Sequence, residues 1–92
     1  MIKANEYFDG RVKSLGQQLG EESFTVGIIE PGEYTFGTAT VEIMEIVHGQ
    51  MEASLPGGTI KVYKKGESFT VPADVEFSVK VTAPVSYLCR YQ

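Results

Sequence analysis

Residues 64–77 read KKGESFTVPADVEF, and they show the pattern that predicts the fold class of the whole chain. A Lys-Gly turn signal precedes the β-rich run SFTV, a Pro-Ala-Asp break follows it, and a second run, VEFSVKV, comes next. Apolar and polar residues alternate along that second run, which is typical of a strand with one face in a core. We expect the core face to carry Val75, Phe77, Val79 and Val81.

Turn signals of this kind recur at short intervals along the chain. Turn signals such as Pro31-Gly32 and Ala83-Pro84 separate β-rich runs at 24–29, 33–36, 40–47, 59–63, 68–71, 75–81 and 85–91. Many short strands between Gly and Pro turns predict an all-β sandwich or barrel, and no segment predicts a helix. The stretch SLGQQLGEES, residues 14–23, has two glycines and little β-branching, so we expect a mobile loop there, as a candidate border of a site.

Length and charge limit the classes of function. The 92 residues allow one small domain, spanning 1–92. Eight Lys and Arg against 12 Asp and Glu give a net charge of −4, so neither nucleic acid nor an anionic membrane is an expected partner. No apolar stretch approaches the ~20 residues that span a bilayer and the N-terminus has no apolar signal core, so we expect a cytoplasmic protein. The single cysteine, Cys89, agrees with a reducing compartment.

The run TVEIMEIV is largely apolar on both faces. One face carries Val41, Ile43, Glu45 and Val47, and the other carries Glu42, Met44, Ile46 and His48. A strand of this kind is covered on both sides, and in so small a chain the expected cover for the second face is another subunit. We therefore expect a homodimer.

Two spacings resemble the motifs of the cupin superfamily. Its second motif runs glycine, five residues, proline, one residue, glycine, two residues, histidine, and Gly66 and Pro72 match its beginning. Its first motif has two histidines one residue apart, then a glutamate and, after six more residues, a glycine; Glu42 and Gly49 keep this last spacing. The resemblance implies a cupin-type double-stranded β-helix barrel, or jelly roll.

The histidines of both motifs are absent. Their positions carry Phe36, Thr38 and Phe77, none of which offers the imidazole nitrogen that binds a transition metal. One carboxylate does not make a metal site, so we expect neither a metal nor another cofactor. If strand alternation holds, Glu42 points inward, where its carboxyl group must be hydrogen-bonded, paired with a cation or raised in pKa. A structural pairing with an arginine and a role in binding are both open.

Four stretches narrow the resemblance: NEYFDGRVKS at 5–14, GEYTFGTATVEIMEIVHG at 32–49, GESFTVP at 66–72 and SYLCRY at 86–91. Together they resemble the small cupin-type pyrimidine/purine nucleoside phosphorylase family over nearly the whole chain. The resemblance implies a pentosyltransferase of nucleoside salvage. A purine or pyrimidine nucleoside and orthophosphate, as co-substrate, would give a free base and α-D-ribose 1-phosphate. Without the resemblance, the residues predict only a soluble metal-free cupin.

Phosphorolysis needs donors for phosphate, and the cations in these stretches are Arg11, Lys13 and Arg90. Arg90 is the first choice because its planar fork makes two parallel bonds to phosphate oxygens. A salt bridge to a carboxylate such as Glu42 or Glu33 is the alternative. We expect Glu42 and Arg90 to be the catalytic residues.

The remaining candidates would contact the substrates. Lys13 and Ser14 suit a secondary phosphate contact, Glu33 and Glu42 could hold ribose hydroxyls or polarise the base, and Thr38 could donate one hydrogen bond. Aromatic rings suit a broad-specificity site because every base offers a π-face. The aromatic side chains available for this are Tyr7, Tyr34, Phe36, Phe77, Tyr87 and Tyr91, and we expect all of them except Tyr87 to bind substrate.

Two further functions compete with the enzyme. One is a non-catalytic cupin whose aromatic pocket binds a nucleoside or another ring compound without turning it over. The other is a structural or regulatory dimer with a fully packed barrel. Turnover of nucleosides with and without phosphate separates the three.

Overall fold

The computed structural model describes residues 1–92, which form ten β-strands and no α-helix. The strands are β1 Lys3–Tyr7, β2 Val12–Leu19, β3 Glu22–Ile29, β4 Gly32–Gly37, β5 Glu42–His48, β6 Gln50–Ser54, β7 Ile60–Lys64, β8 Ser68–Val71, β9 Glu76–Val81 and β10 Val85–Tyr91. The all-β prediction is therefore confirmed. No helix that could cross a membrane is present.

The strands make two antiparallel sheets that face each other. The larger has six strands in the order β1-β2-β3-β10-β5-β8, and the smaller has four in the order β4-β9-β6-β7. The last long strand, β10, lies between β3 and β5 in the middle of the larger sheet. The inner face of that sheet is thus built from both ends of the chain.

The inner faces of the two sheets enclose a core of apolar side chains. Strand β9 behaves as its alternation predicts, with Phe77, Val79 and Val81 buried, while Val75 just before it is half-buried. On β5, Met44 and Ile46 are buried and the neighbours of opposite parity face outward. Period-two alternation on strands of this kind is enough to assign the core.

The expected mobile loop at residues 14–23 is wrong. These residues belong to a hairpin in which β2 pairs with β3 from Val12↔Ile29 to Leu19↔Glu22, with a tight turn at Gly20, whose φ is +64°. The inner face of β2 carries Val12, Ser14 and Gly16, all buried. Small residues on an inner face conceal the apolar alternation by which a strand is predicted. Strands β1 and β6 were not predicted either.

The turn after β8 contains the position at which the cupin motif has its second glycine. Asp74 stands at that glycine position and has a φ of +58°, a left-handed conformation that Asp adopts more readily than most residues. Its amide donates to the carbonyl of Thr38 over 3.0 Å. The loop before β5 and the loop before β9 are thereby joined.

Candidate functional site

A cavity of about 880 Å³ opens between the two sheets. This volume lies in the range typical of small-molecule sites. Side chains and backbone from seven strands and their loops line it: Tyr7, Phe8, Ser14, Ser23, Ile29, Thr35, Phe36, Gly37, Ala39, Thr40, Glu42, Met44, Phe77, Tyr87, Cys89, Tyr91 and Gln92. The barrel is therefore not fully packed, which argues against a purely structural dimer.

Two positions at which the cupin motifs have histidines lie side by side in one wall of the cavity. Phe36 on β4 is the direct partner of Phe77 on β9, and their rings stack with centroids 5.6 Å apart. The rings of Phe8 and Tyr34 continue this cluster. The substitution of the histidines thus gives an apolar, aromatic wall where a cupin of the metal-binding type has its ligands.

The third former ligand position has a structural role. The Thr38 hydroxyl donates to the carbonyl of Pro72 over 2.7 Å and accepts from the amide of Val75 over 3.1 Å. Thr38 is buried and does not line the cavity. Thr38 cannot donate the predicted hydrogen bond to substrate, because its hydroxyl proton is already donated to a backbone carbonyl. That hydrogen bond joins two loops.

The opposite wall carries a row of polar groups on β5 and β10. The Cys89 thiol donates to the Glu42 carboxylate, with Sγ 3.5 Å from Oε1. Burial raises the pKa of Glu42 above its usual value of 4.5, and the hydrogen bond from Cys89 partly opposes that rise. Burial, followed by the charge of Glu42, raises the pKa of Cys89 to about 12, so this thiol stays protonated and is not a nucleophile.

Phenol groups flank this pair. Tyr91 Oη and Thr25 Oγ1 share a hydrogen bond of 3.0 Å, and burial raises the pKa of Tyr91. Burial likewise raises the pKa of Tyr87 to about 12. Asn5 donates to the Ser14 hydroxyl over 3.2 Å. At neutral pH the wall therefore presents neutral hydroxyl groups beside one carboxyl, a set that can exchange hydrogen bonds with a sugar or a base.

A glycine makes room for one of these phenols. A Cβ atom added at Gly27 would stand 2.6 Å from Tyr87 Oη and 2.8 Å from the carbonyl oxygen of Lys13. Gly27 is the direct partner of Tyr87 across β3 and β10. The ring of Tyr87 consequently lies against bare backbone, which keeps its hydroxyl in the cavity wall.

Among the predicted site residues, Tyr7, Ser14, Phe36, Glu42, Phe77 and Tyr91 line the cavity. Four others do not. Tyr34 is buried and donates to the carbonyl of Glu30 over 2.8 Å, while Glu33 faces out and lies 3.9 Å from Lys80. Lys13 points away from the cavity because strand alternation puts its neighbour Ser14 inside. These three have no contact with the cavity in this arrangement.

Arg90 also lies outside the cavity, on the outer face of the six-stranded sheet. Tyr87, Cys89 and Tyr91 of the same strand face inward, so alternation turns Arg90 out. Its guanidinium nitrogens lie 3.4 Å from Glu45 and 3.9 Å from Glu22. The arrangement matches the predicted alternative, a salt bridge, although with other carboxylates than those proposed. Any contact with phosphate would have to occur on this outer face.

Sequence reasoning missed several residues that line the cavity. Tyr87 and Cys89 share a face with Tyr91, so strand alternation alone could have added them to the site. Strand alternation could not have predicted Phe8, because this residue lies in a turn whose backbone follows no strand pattern.

The residues do not fit a metal ion. No group of three or more His, Cys, Asp or Glu side chains is placed to hold one. At the cupin ligand positions only Glu42 offers a donor to the cavity, and one carboxylate does not make a metal site.

A family model for pyrimidine/purine nucleoside phosphorylase matches residues 2–91. The chain belongs to that family. A relative from Pseudomonas entomophila with this name is 47% identical, and the match covers 100% of this chain and 99% of the relative. One from Tolumonas auensis, with the same name, is 42% identical over the full length of both chains.

Solved structures show that this member of the phosphorylase family has a fold that also occurs in cupins. A protein of unknown function from Vibrio parahaemolyticus has a TM-score of 0.95 and 41% identity, covering 100% of this chain and 99% of that one. A cupin-2 domain protein from Shewanella frigidimarina has a TM-score of 0.68 at 17% identity, covering 80% of this chain and 72% of that one. The latter likeness shows the fold alone, and it confirms the predicted cupin-type jelly roll.

Proposed function

We propose that this protein is a broad-specificity nucleoside phosphorylase that uses no metal. Membership of the family supports this function, and the observation that carries it is the pairing of an aromatic wall with a hydroxyl-rich wall around one half-buried carboxyl group. A base of either class can lie against Phe36 and Phe77, because stacking does not depend on the hydrogen-bonding pattern of the base. The ribose would then lie toward Glu42 and Tyr91.

The reaction balances without a cofactor. A phosphate oxygen forms a bond to the anomeric carbon, the bond from that carbon to the base nitrogen breaks, and its electron pair leaves with the base. Hydrogen phosphate loses one proton and the base gains one, so the protons balance. The products are the free base and α-D-ribose 1-phosphate.

Glu42 is the residue we assign to the transition state. The sugar gains positive charge as the bond to the base breaks, and a half-buried carboxylate in the cavity wall interacts with such charge more strongly than one in open solvent. Burial disfavours the carboxylate form in the free enzyme. Since the developing cation offsets that penalty only during reaction, the interaction is stronger in the transition state than in the ground state, as catalysis requires.

A panel of purine and pyrimidine nucleosides tests the function. Base release is measured with and without phosphate and with a chelator present. We expect release that depends on phosphate and persists with the chelator. Release without added phosphate would favour hydrolysis, loss with the chelator would contradict metal independence, and binding without turnover would favour the non-catalytic alternative.

We propose a homodimer formed through the outer face of the six-stranded sheet. This face carries an outer patch of four apolar residues. Three of them are neighbours in register across β2, β3 and β10, namely Leu15, Val26 and Leu88, and Ile28 lies beside them. Leu15 is 57% exposed and Ile28 56%. Monomeric proteins rarely expose a contiguous apolar surface of this kind, and a face that pairs with its own copy forms a closed two-fold dimer.

Sedimentation of a Leu15→Glu variant tests the dimer, with Ile60→Glu on an edge strand as the matched control. We expect the first to be monomeric at concentrations where the second and the wild type are dimeric. A monomeric wild type would refute the proposal. Cytoplasmic residence is a further proposal, supported by a single cysteine that is buried and free.

A further inference from the structure

The cavity contains no cation, although the proposed reaction brings a phosphate dianion to it. Neither lysine nor arginine lines it, and its one charged group, Glu42, is an acid. Binding of phosphate beside that group requires a positive charge from outside the lining residues. The inference below rests on the proposed function and concerns the source of that charge.

The turn between β1 and β2 carries a suitable arginine. Arg11 follows Phe8, which lines the cavity, by three positions. Its guanidinium carbon lies 5.8 Å from the centroid of the Tyr34 ring, and one of its nitrogens donates over 3.5 Å to the carbonyl of Pro31. Unlike Arg90, it makes no ion pair with a carboxylate. A guanidinium group over an aromatic ring keeps most of its N–H donors at its edge free.

The turn itself is held in an unfavourable backbone conformation. Phe8, Asp9 and Gly10 have φ values of +53°, +56° and +85°. A left-handed conformation costs a bulky residue such as Phe8 roughly 1–2 kcal/mol, and such strain persists only where the surroundings enforce it. Here the ring of Phe8 packs against Tyr34 and Phe36, with centroids 5.0 and 5.5 Å away.

Hydrogen bonds then fix the position of Arg11 relative to this ring. The Arg11 amide donates to the Phe8 carbonyl over 3.2 Å, and the Arg11 carbonyl accepts from the Glu30 amide over 2.8 Å. The strained turn thus sets the Phe8 ring in the cavity wall, and the unpaired Arg11 guanidinium lies over the Tyr34 ring that packs behind it. Strain of this kind is concentrated at functional sites.

We propose that Arg11 binds the phosphate co-substrate at the mouth of the cavity. Two of its free N–H groups would donate to two phosphate oxygens, so that the positive charge compensates the dianion next to the Glu42 carboxyl. The turn of residues 8–11 is then a phosphate-binding element.

Substitution of Arg11 by Gln and by Lys tests the proposal, with Lys61→Gln as the matched control. Lys61 also lies over an aromatic ring, with Nζ 5.2 Å from the Tyr63 centroid, but its strand, β7, contributes nothing to the cavity lining. Loss of a hydrogen bond between charged groups corresponds to roughly 10- to 100-fold in affinity. We expect Arg11→Gln to raise the KM for phosphate by about this factor and the KM for nucleoside less than about threefold. Arg11→Lys should be intermediate and Lys61→Gln unchanged.

Calorimetric titration with inorganic phosphate alone separates this proposal from the proposed function. A wild type that binds phosphate, and an Arg11→Gln variant that does not, would support the site even if no nucleoside is cleaved. Equal phosphate binding or an equal phosphate KM in both proteins would overturn the assignment to Arg11. Parallel losses of phosphate affinity, nucleoside affinity and melting temperature in Arg11→Gln would also overturn it. A wild type that binds no phosphate, by calorimetry or by kinetics, would overturn it as well.

Discussion

The Cys89 thiol and the Glu42 carboxylate meet in the cavity wall, with Sγ 3.5 Å from Oε1. The strands that carry them, β10 and β5, are paired in the six-stranded sheet. In this pairing Cys89 lies directly opposite Met44, and Glu42 lies directly opposite Tyr91. The two side chains therefore meet on a diagonal. A thiol is a weak donor, so the carboxylate keeps most of its acceptor capacity for a substrate.

We expect replacement of Cys89 by Ala to move the acid side of the pH–rate profile to higher pH. The hydrogen bond from Cys89 favours the carboxylate form of Glu42, whose pKa burial already raises. Without the donor that pKa rises further, and the active carboxylate is lost at a less acidic pH. Profiles of kcat against pH measure the shift. Val85→Ala, a buried residue of the same strand that does not line the cavity, is the control and should leave the profile in place.

Replacement of Glu42 by Gln should slow catalysis and make stability less sensitive to pH. Because folding raises the pKa of Glu42, this group favours the folded state of the wild type most at pH values below the usual pKa of 4.5. That contribution to stability is lost as the pH rises through the pKa of the folded state. Gln has no such loss. The variant should therefore be as stable as the wild type near pH 4 and more stable at pH 8, by less than about 1 kcal/mol because half of the side chain remains solvated.

Urea unfolding at the two pH values measures this difference. We expect kcat to fall by roughly 10²-fold, the usual effect of removing one charge-stabilising group. A variant with unchanged kcat would exclude Glu42 from the transition state. A variant that is less stable than the wild type at pH 8 would contradict the burial penalty.

Gly27→Ala should weaken nucleoside binding through Tyr87. The new methyl group would overlap the phenol, since Cβ would stand 2.6 Å from Oη, and overpacking of this kind costs about 1–3 kcal/mol. The ring must leave its place in the cavity wall. A double-mutant cycle with Tyr87→Leu measures the coupling, and the double variant should lose less stability than the sum of the single ones. Strict additivity would show that the two residues do not interact.

How much the sequence predicts depends on the kind of residue. The strands whose apolar and polar residues alternate, such as β9, were assigned correctly together with their core faces. Strand β3 was predicted over residues 24–29, but its partner β2 was not, because the inner face of β2 carries Ser14 and Gly16, whose small side chains break the apolar alternation. One of these two residues, Ser14, lines the cavity.

The site residues divide in the same way. Glu42, Phe36 and Phe77 could be found because they stand at known motif positions and alternate on strands. Arg90 stands within an equally specific motif, SYLCRY, but the alternation that puts Tyr91 in the cavity puts Arg90 outside it. Phe8 depends on a left-handed turn that only the backbone coordinates reveal.

Arg90→Ala distinguishes the motif-based assignment of phosphate binding from the geometric one. The side chain is partly exposed and lies between Glu45 and Glu22, and surface pairs of this kind contribute about 0–1 kcal/mol. We therefore expect a small loss of stability and an unchanged KM for phosphate, in contrast to Arg11→Gln. Phosphate titrations of the initial rate, run beside thermal unfolding, check both. A phosphate KM raised tenfold in Arg90→Ala with the melting temperature intact would restore Arg90 as the phosphate ligand, and since its guanidinium faces away from the cavity, that result would place the site at the seam with the partner subunit.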